Sequence, residues 1–203
     1  METSEASEPG GLRPTTSDVP LPAGRCSSTD RTESERLSSQ QAAVLGDLWE
    51  LTKPEISFLV TLSALAGFLL GSQNGVDLAP LFYTVVGTAL TAAGSGVLNH
   101  YRERDIDGDM RRTMNRPLPD GRISPRTAVL FGGGVLTGGL TVLLIFINTL
   151  TAGLAAITVV LYLSLYTPLK RVTSYNTIIG CIPGALPALG GWTAATGSFG
   201  LGG

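Results

Sequence analysis

Charge is what this 203-residue chain has least of: 15% of its residues are Asp, Glu, Lys or Arg, where soluble domains carry roughly 25%. Together with a mean hydropathy of +0.27, that shortage points to a membrane. A basic surplus is missing too. The formal charge of −2 leaves no excess of cations to neutralise phosphates over a broad surface, which argues against nucleic acid as a partner. Cysteine is almost absent. Cys26 and Cys181 lie far apart with no CxxC or Cys/His spacing, so neither a zinc site nor a disulfide framework is expected.

The first forty or so residues lack apolar periodicity altogether. They are rich in Ser, Thr, Glu, Pro and Gly, a composition that buries too little surface to offset its ordering entropy. A disordered cytoplasmic tail is therefore expected over residues 1–48, followed by a transmembrane domain over 49–203. The tail shows no apolar core of a secretory signal, and its early acids speak against a mitochondrial transit peptide.

Long apolar runs are what the chain does have. "PEISFLVTLSALAGFLLG", "LAPLFYTVVGTALTAAGSGVLNH", "RTAVLFGGGVLTGGLTVLLIFIN", "LTAGLAAITVVLYLSLY" and "NTIIGCIPGALPALGGWTAAT" each approach the roughly 20 residues needed to span a bilayer. The expected fold class is all-α, a multi-pass transmembrane bundle with helices near 54–72, 78–103, 126–147, 150–166 and 176–196. Pro183 and Pro187 predict a kink in the fifth. Every Lys and Arg lies at or before Lys53, within 102–126, or at Lys170 and Arg171. Alternating crossings then place the tail, the 102–126 segment and the 170–175 loop on the cytoplasmic side. The glycine run "GGGVLTGG" at 132–139 has no lysine and sits inside an apolar helix. It predicts close helix packing in lipid, not a phosphate loop.

The charge that remains is concentrated at "NHYRERDIDGDMRRTMNRPLPDGRISPR", residues 99–126. Asn99, Glu103 and Asp107 are four residues apart, so they drift only about 40° per step and stay on one helix face, climbing about 6 Å each time. Such a ladder of oxygens suits Mg²⁺, which takes one or two carboxylates and completes its shell with waters and phosphates. Alternatively, the carboxylates pair with Arg102, Arg104 and Arg111 on a solvated helix end. Arg112 and Arg116 follow, and guanidinium forks bind phosphate oxygens bidentately. A second basic cluster, "YTPLKR" at 166–171, ends the fourth apolar run on the same side. His100, the one histidine, is either a polar residue at a helix end or a ligand to metal or heme.

With these motifs in view, the chain resembles the UbiA superfamily of intramembrane prenyltransferases, whose signature is N-x-x-x-D-x-x-x-D followed by R-T-x-x-R-P. "LTKPEISFLV", "RTMNRPLPDGRISP" and "YTPLKRVTSYNTIIGCIPGALPALGGW" resemble, more narrowly, its protoheme IX farnesyltransferase (heme O synthase) branch, from about Leu51 onward. Glu103 stands where most of the superfamily has Asp, and His100 where quinone-type members often have Asp.

The resemblance implies transfer of farnesyl from farnesyl diphosphate to a vinyl group of protoheme IX (heme B), giving heme O. Asn99, Glu103 and Asp107 would hold Mg²⁺. Arg112, Arg116, Lys170, Arg171 and Lys53 would grip the diphosphate, and Tyr166 would lie near the nascent carbocation or donate to a phosphate. The implied setting is a bacterial inner membrane in preference to a mitochondrial one. A downstream heme A synthase or oxidase assembly factor is the implied protein partner. The family has about nine membrane helices and a second acidic motif, so this chain is expected to carry the N-terminal part of that fold. Two other functions are weighed against this one: a related prenyltransferase with a quinone-precursor or other aromatic acceptor, and a membrane carrier with an acidic cation-binding rim.

Overall fold

The computed structural model describes residues 28–73, 75–169 and 176–199, with side chains from 39 and, in the last helix, from 180. No strand occurs among the described residues. The helices are α1 Ser28–Leu51, α2 Pro54–Gly71, α3 Leu78–Asp109, α4 Pro125–Phe146, α5 Thr149–Val160, a π-helical stretch Leu161–Tyr166, α6 Thr167–Leu169 and α7 Asn176–Thr196. Residues 41–203 form one compact unit.

Proline and cap chemistry set the helix starts. Pro54 and Pro125 open α2 and α4, where the missing N–H removes nothing and the fixed φ suits the first turn. Ser124 accepts from Thr127 N at 3.1 Å, and Asn148 accepts from Thr151 N at 2.7 Å. The second cap lets the chain reverse within Ile147 and Asn148. α7 continues as a helix through Pro183 and Pro187.

Four helices are long and apolar enough to cross a membrane among the described residues: Pro54–Gly71, Leu78–Asp109, Pro125–Phe146 and Thr149–Leu169. The fifth expected crossing is also helical, as α7. Outward positions carry large apolar side chains, such as Phe58, Leu59, Leu70, Phe82, Leu130 and Ile145, as contact with lipid requires. The chain is an integral membrane protein.

Two expectations are corrected. The tail read as disordered to residue 48 is helical from Ser28, and Asp47 and Leu51 are buried. Strong helix formers in "ESERLSSQQAAVLGDLWEL" override the polar average of the segment. The second helix of the bundle runs to Asp109 instead of about 103, because hydrogen bonds to its own polar face, described below, hold the added turns.

Glycine positions α3 against α4 and α2 against α7. A Cβ on Gly94 would lie 2.5 Å from Leu136 N, and one on Gly139 would lie 2.6 Å from Thr91 N. Gly67 and Gly191 meet the backbone carbonyls of Ala188 and Ala64 with no room for a side chain. Of the 132–139 run, Gly132 and Gly139 serve this packing, whereas Gly133, Gly134 and Gly138 face open space. At one end of the bundle, Leu51, Val97, Leu118, Ile123 and Ala128 form a buried cluster. It fixes the loop between α3 and α4 against the end of α1.

Candidate active site

One face of α3 carries the site. Thr88, Thr91, Ala92, Ser95 and Gly96 line a half-open cavity of about 620 Å³. One turn further on, the same face presents Asn99, Glu103 and Asp107, all buried. The four-residue spacing thus puts the three side chains on the helix face that further back lines the cavity, and their burial separates them from a solvated helix end. The chamber is completed by α2, α5 and α7, with Lys53, Val60, Thr151, Tyr162, Tyr166 and Pro187 among its walls.

The rungs of the ladder are tied together. Asn99 Nδ2 donates to Glu103 Oε2 at 2.9 Å, and the Thr167 hydroxyl lies 2.8 Å from Asn99 Oδ1. Arg116 Nη1 donates to Asp107 Oδ2 at 2.7 Å. The Thr113 hydroxyl donates to the backbone carbonyl of Asp107 at 2.9 Å, satisfying an acceptor that the end of α3 would otherwise leave open. His100 is buried, with Nδ1 4.0 Å from Asp107 Oδ2.

The basic residues separate into groups. Arg116 reaches the ladder. Arg112 is exposed, and no hydrogen bond or ion pair among the described residues joins it to the ladder. Lys53 lines the cavity from the start of α2 with φ 48° and ψ 64°, a left-handed conformation uncommon for a side-chain-bearing residue. Tyr166 lines the cavity and packs against Gly180, with its ring stacked on Tyr162 at 5.7 Å between centroids. Lys170 and Arg171 lie outside the described residues, as does Cys26. Cys181 lines the cavity.

Three positions escaped the sequence reading. Tyr162, four residues before Tyr166, lies in the π-helical stretch, a feature common at functional sites. Thr167 bridges α6 to the ladder. Asp47 of α1 pairs with Arg122, whose Nη2 also donates to Asn115 O at 2.7 Å, anchoring the loop that carries Arg116.

The oxygens suit a hard divalent cation. No group of three or more His, Cys, Asp or Glu side chains gathers among the described residues. Two carboxylates and an amide oxygen are nonetheless the donor types that such a cation takes.

The described residues form a helix bundle of membrane-spanning character whose α3 carries a buried Asn–Glu–Asp ladder along the same face as a cavity. The pattern of the UbiA prenyltransferase family matches residues 60–202, and the chain belongs to that family. It is similar to a protoheme IX farnesyltransferase of Salinibacter ruber, at 55% identity over 77% of this chain and 56% of the relative. It also resembles one of Solibacter usitatus, at 41% identity over 75% of this chain and 56% of the relative. Protoheme IX farnesyltransferase 2 of a Shewanella species matches at 43% identity over 74% and 50%. The chain spans about half the length of these relatives. A solved chain from work on digeranylgeranylglyceryl phosphate synthase in membranes shares the fold, with a TM-score of 0.67 and 24% identity over 74% of this chain and 53% of that one.

Proposed function

We propose that this chain forms the diphosphate-binding part of a prenyltransferase that moves farnesyl from farnesyl diphosphate to a vinyl group of protoheme IX, making heme O. The observation that carries this reading is the continuity of the ladder with the apolar chamber along one face of α3. A diphosphate head at Asn99, Glu103 and Asp107 would place its isoprenoid tail among Ser95, Val60 and Tyr162. The names of the similar proteins support farnesyl as donor and protoheme as acceptor.

In this mechanism Asn99, Glu103 and Asp107 would hold Mg²⁺, which supplies charge neutralisation on the leaving diphosphate. Arg116 and Lys53, with Arg112, Lys170 and Arg171, would bind its remaining oxygens. The allylic C–O bond breaks with its electron pair leaving on the diphosphate. The farnesyl carbon bonds to the terminal vinyl carbon, and water adds to the other, releasing a proton. The faces of Tyr162 and Tyr166 would stabilise the developing allylic cation. The apolar walls would keep water from it.

The same reading places the basic ends of the bundle and the N-terminus on the cytoplasmic side of a bacterial inner membrane. Residues 49–203 would be the catalytic domain, with a heme A synthase or oxidase assembly factor receiving the product. Membranes containing the protein, incubated with labelled farnesyl diphosphate and heme, should label a heme pigment only when Mg²⁺ is present. Label in a quinone precursor would favour the other acceptor class. No transfer together with cation flux would favour a carrier.

A further inference from the structure

Each tied rung of the ladder is occupied by a donor from the same chain, and the three donors differ in kind. A hydroxyl meets Asn99, an amide meets Glu103, and a full positive charge meets Asp107. Asp107 is buried, whereas the Arg116 side chain is 27% exposed. A buried carboxylate needs a compensating charge, and Arg116 provides one from a loop.

The loop itself is fastened elsewhere. The Thr113 hydroxyl grips the Asp107 carbonyl, and Asp47 holds Arg122. The guanidinium can therefore move while the backbone stays. One fork cannot serve Asp107 and a diphosphate at full strength together.

We propose that Arg116 is a placeholder cation. It neutralises Asp107 until a divalent cation takes that carboxylate, and then turns to the diphosphate, so that cation and diphosphate bind interdependently. This rests on the proposed function and adds how that site is loaded. A cation arriving alone must displace Arg116 with nothing to receive it. A cation arriving with diphosphate offers Arg116 a new anion. Each ligand then tightens the other by the same factor, as linkage requires. Thr167 follows the same logic, because its hydroxyl, 2.9 Å from the Tyr162 carbonyl, can donate there instead once a cation takes Asn99 Oδ1.

The test uses the protein in detergent, with Mn²⁺ titrated alone by electron paramagnetic resonance and inorganic diphosphate titrated by calorimetry at saturating Mn²⁺. Arg116→Gln should bind Mn²⁺ alone more tightly, by about tenfold, yet bind diphosphate more weakly, with the coupling between them lost. Arg116→Lys, which keeps the charge but not the fork, should leave the Mn²⁺-alone affinity near that of the parent while weakening diphosphate. These opposite movements separate a placeholder from a residue that only grips phosphate, which would leave Mn²⁺-alone binding untouched in both variants. Unchanged or weaker Mn²⁺ binding in Arg116→Gln, with its thermal midpoint preserved, would overturn the proposal alone. A parent protein that binds no Mn²⁺ with or without diphosphate would overturn the proposed function and this inference with it.

Discussion

The Thr167 hydroxyl meets the side-chain oxygen of Asn99 at 2.8 Å across 68 residues of sequence. Both residues are buried, at 1% exposure each, so the contact joins the end of the fourth apolar run to the acidic face of α3 without help from water. The Tyr162 carbonyl beside it already accepts the backbone N–H of Thr167. Among the described residues, Asn99 Oδ1 accepts from the Thr167 hydroxyl alone.

Thr167→Val should therefore lower stability by about 1–3 kcal/mol, because it leaves a buried amide oxygen unpaired. Thr167→Ser should restore most of the loss. Saturating Mg²⁺ should narrow the gap, since the cation then satisfies Asn99 Oδ1 in both proteins. Thermal unfolding with and without Mg²⁺ checks this, and a gap indifferent to Mg²⁺ would count against Asn99 as a ligand.

Asp107→Asn removes one of the two ladder carboxylates while leaving the shape of the side chain. Cation-dependent diphosphate binding should disappear, and helicity should not, because the released Arg116 is exposed enough to be solvated. Retained diphosphate binding at limiting Mg²⁺, read by calorimetry, would remove Asp107 from the metal site.

Lys53 tests whether a strained backbone is kept for function. Its left-handed conformation costs roughly 1–2 kcal/mol for a residue with a side chain, and the following Pro54 restricts it further. Lys53→Gly should raise the thermal midpoint and weaken diphosphate binding together. A variant that gains stability and binds diphosphate as well as the parent would show that the lysine has no part in the site.

Much of this was written in local spacing. Asn99, Glu103 and Asp107 share a face because four residues make just over one turn, and their apolar context put that face at a membrane. Thr167 was hidden because its partner is distant in sequence and a threonine in a helix carries no mark of what it touches. Tyr162 was within reach, one turn before a tyrosine already singled out. The last turns of α1 were missed because the polarity of a long segment was averaged over a short apolar stretch, "AAVLGDLWEL". Among the glycines of 132–139, sequence could not tell Gly132 and Gly139, which meet α3, from the three that face outward. That distinction depends on the rotation of α4, which a run with glycine on several faces does not encode.

Sidedness can be read with cysteine probes in a background lacking Cys26 and Cys181. Gln73 and Asn115 are exposed and lie on the two connections that flank α3. Gln73→Cys should react with an impermeant maleimide added to intact cells, and Asn115→Cys only after lysis. The reverse pattern would invert the proposed orientation.

The final prediction sets two glycines of one kind against each other. A Cβ at Gly191 would overlap the Ala64 carbonyl on α2, a backbone atom that cannot move without the helix. A Cβ at Gly134 would meet nothing within 4 Å. In lipid, helices associate through close packing and not through release of water, so separating α2 from α7 removes contacts that nothing replaces. Gly191→Ala should destabilise the bundle by about 1–3 kcal/mol, the range for overpacking a tight core. Gly134→Ala should instead stabilise it, by up to about 1 kcal/mol, because alanine is the better helix former and no neighbour objects. Denaturant unfolding in detergent distinguishes the two. Equal effects of the same sign would mean that these helices are held together by something other than the contact of Gly191 with α2.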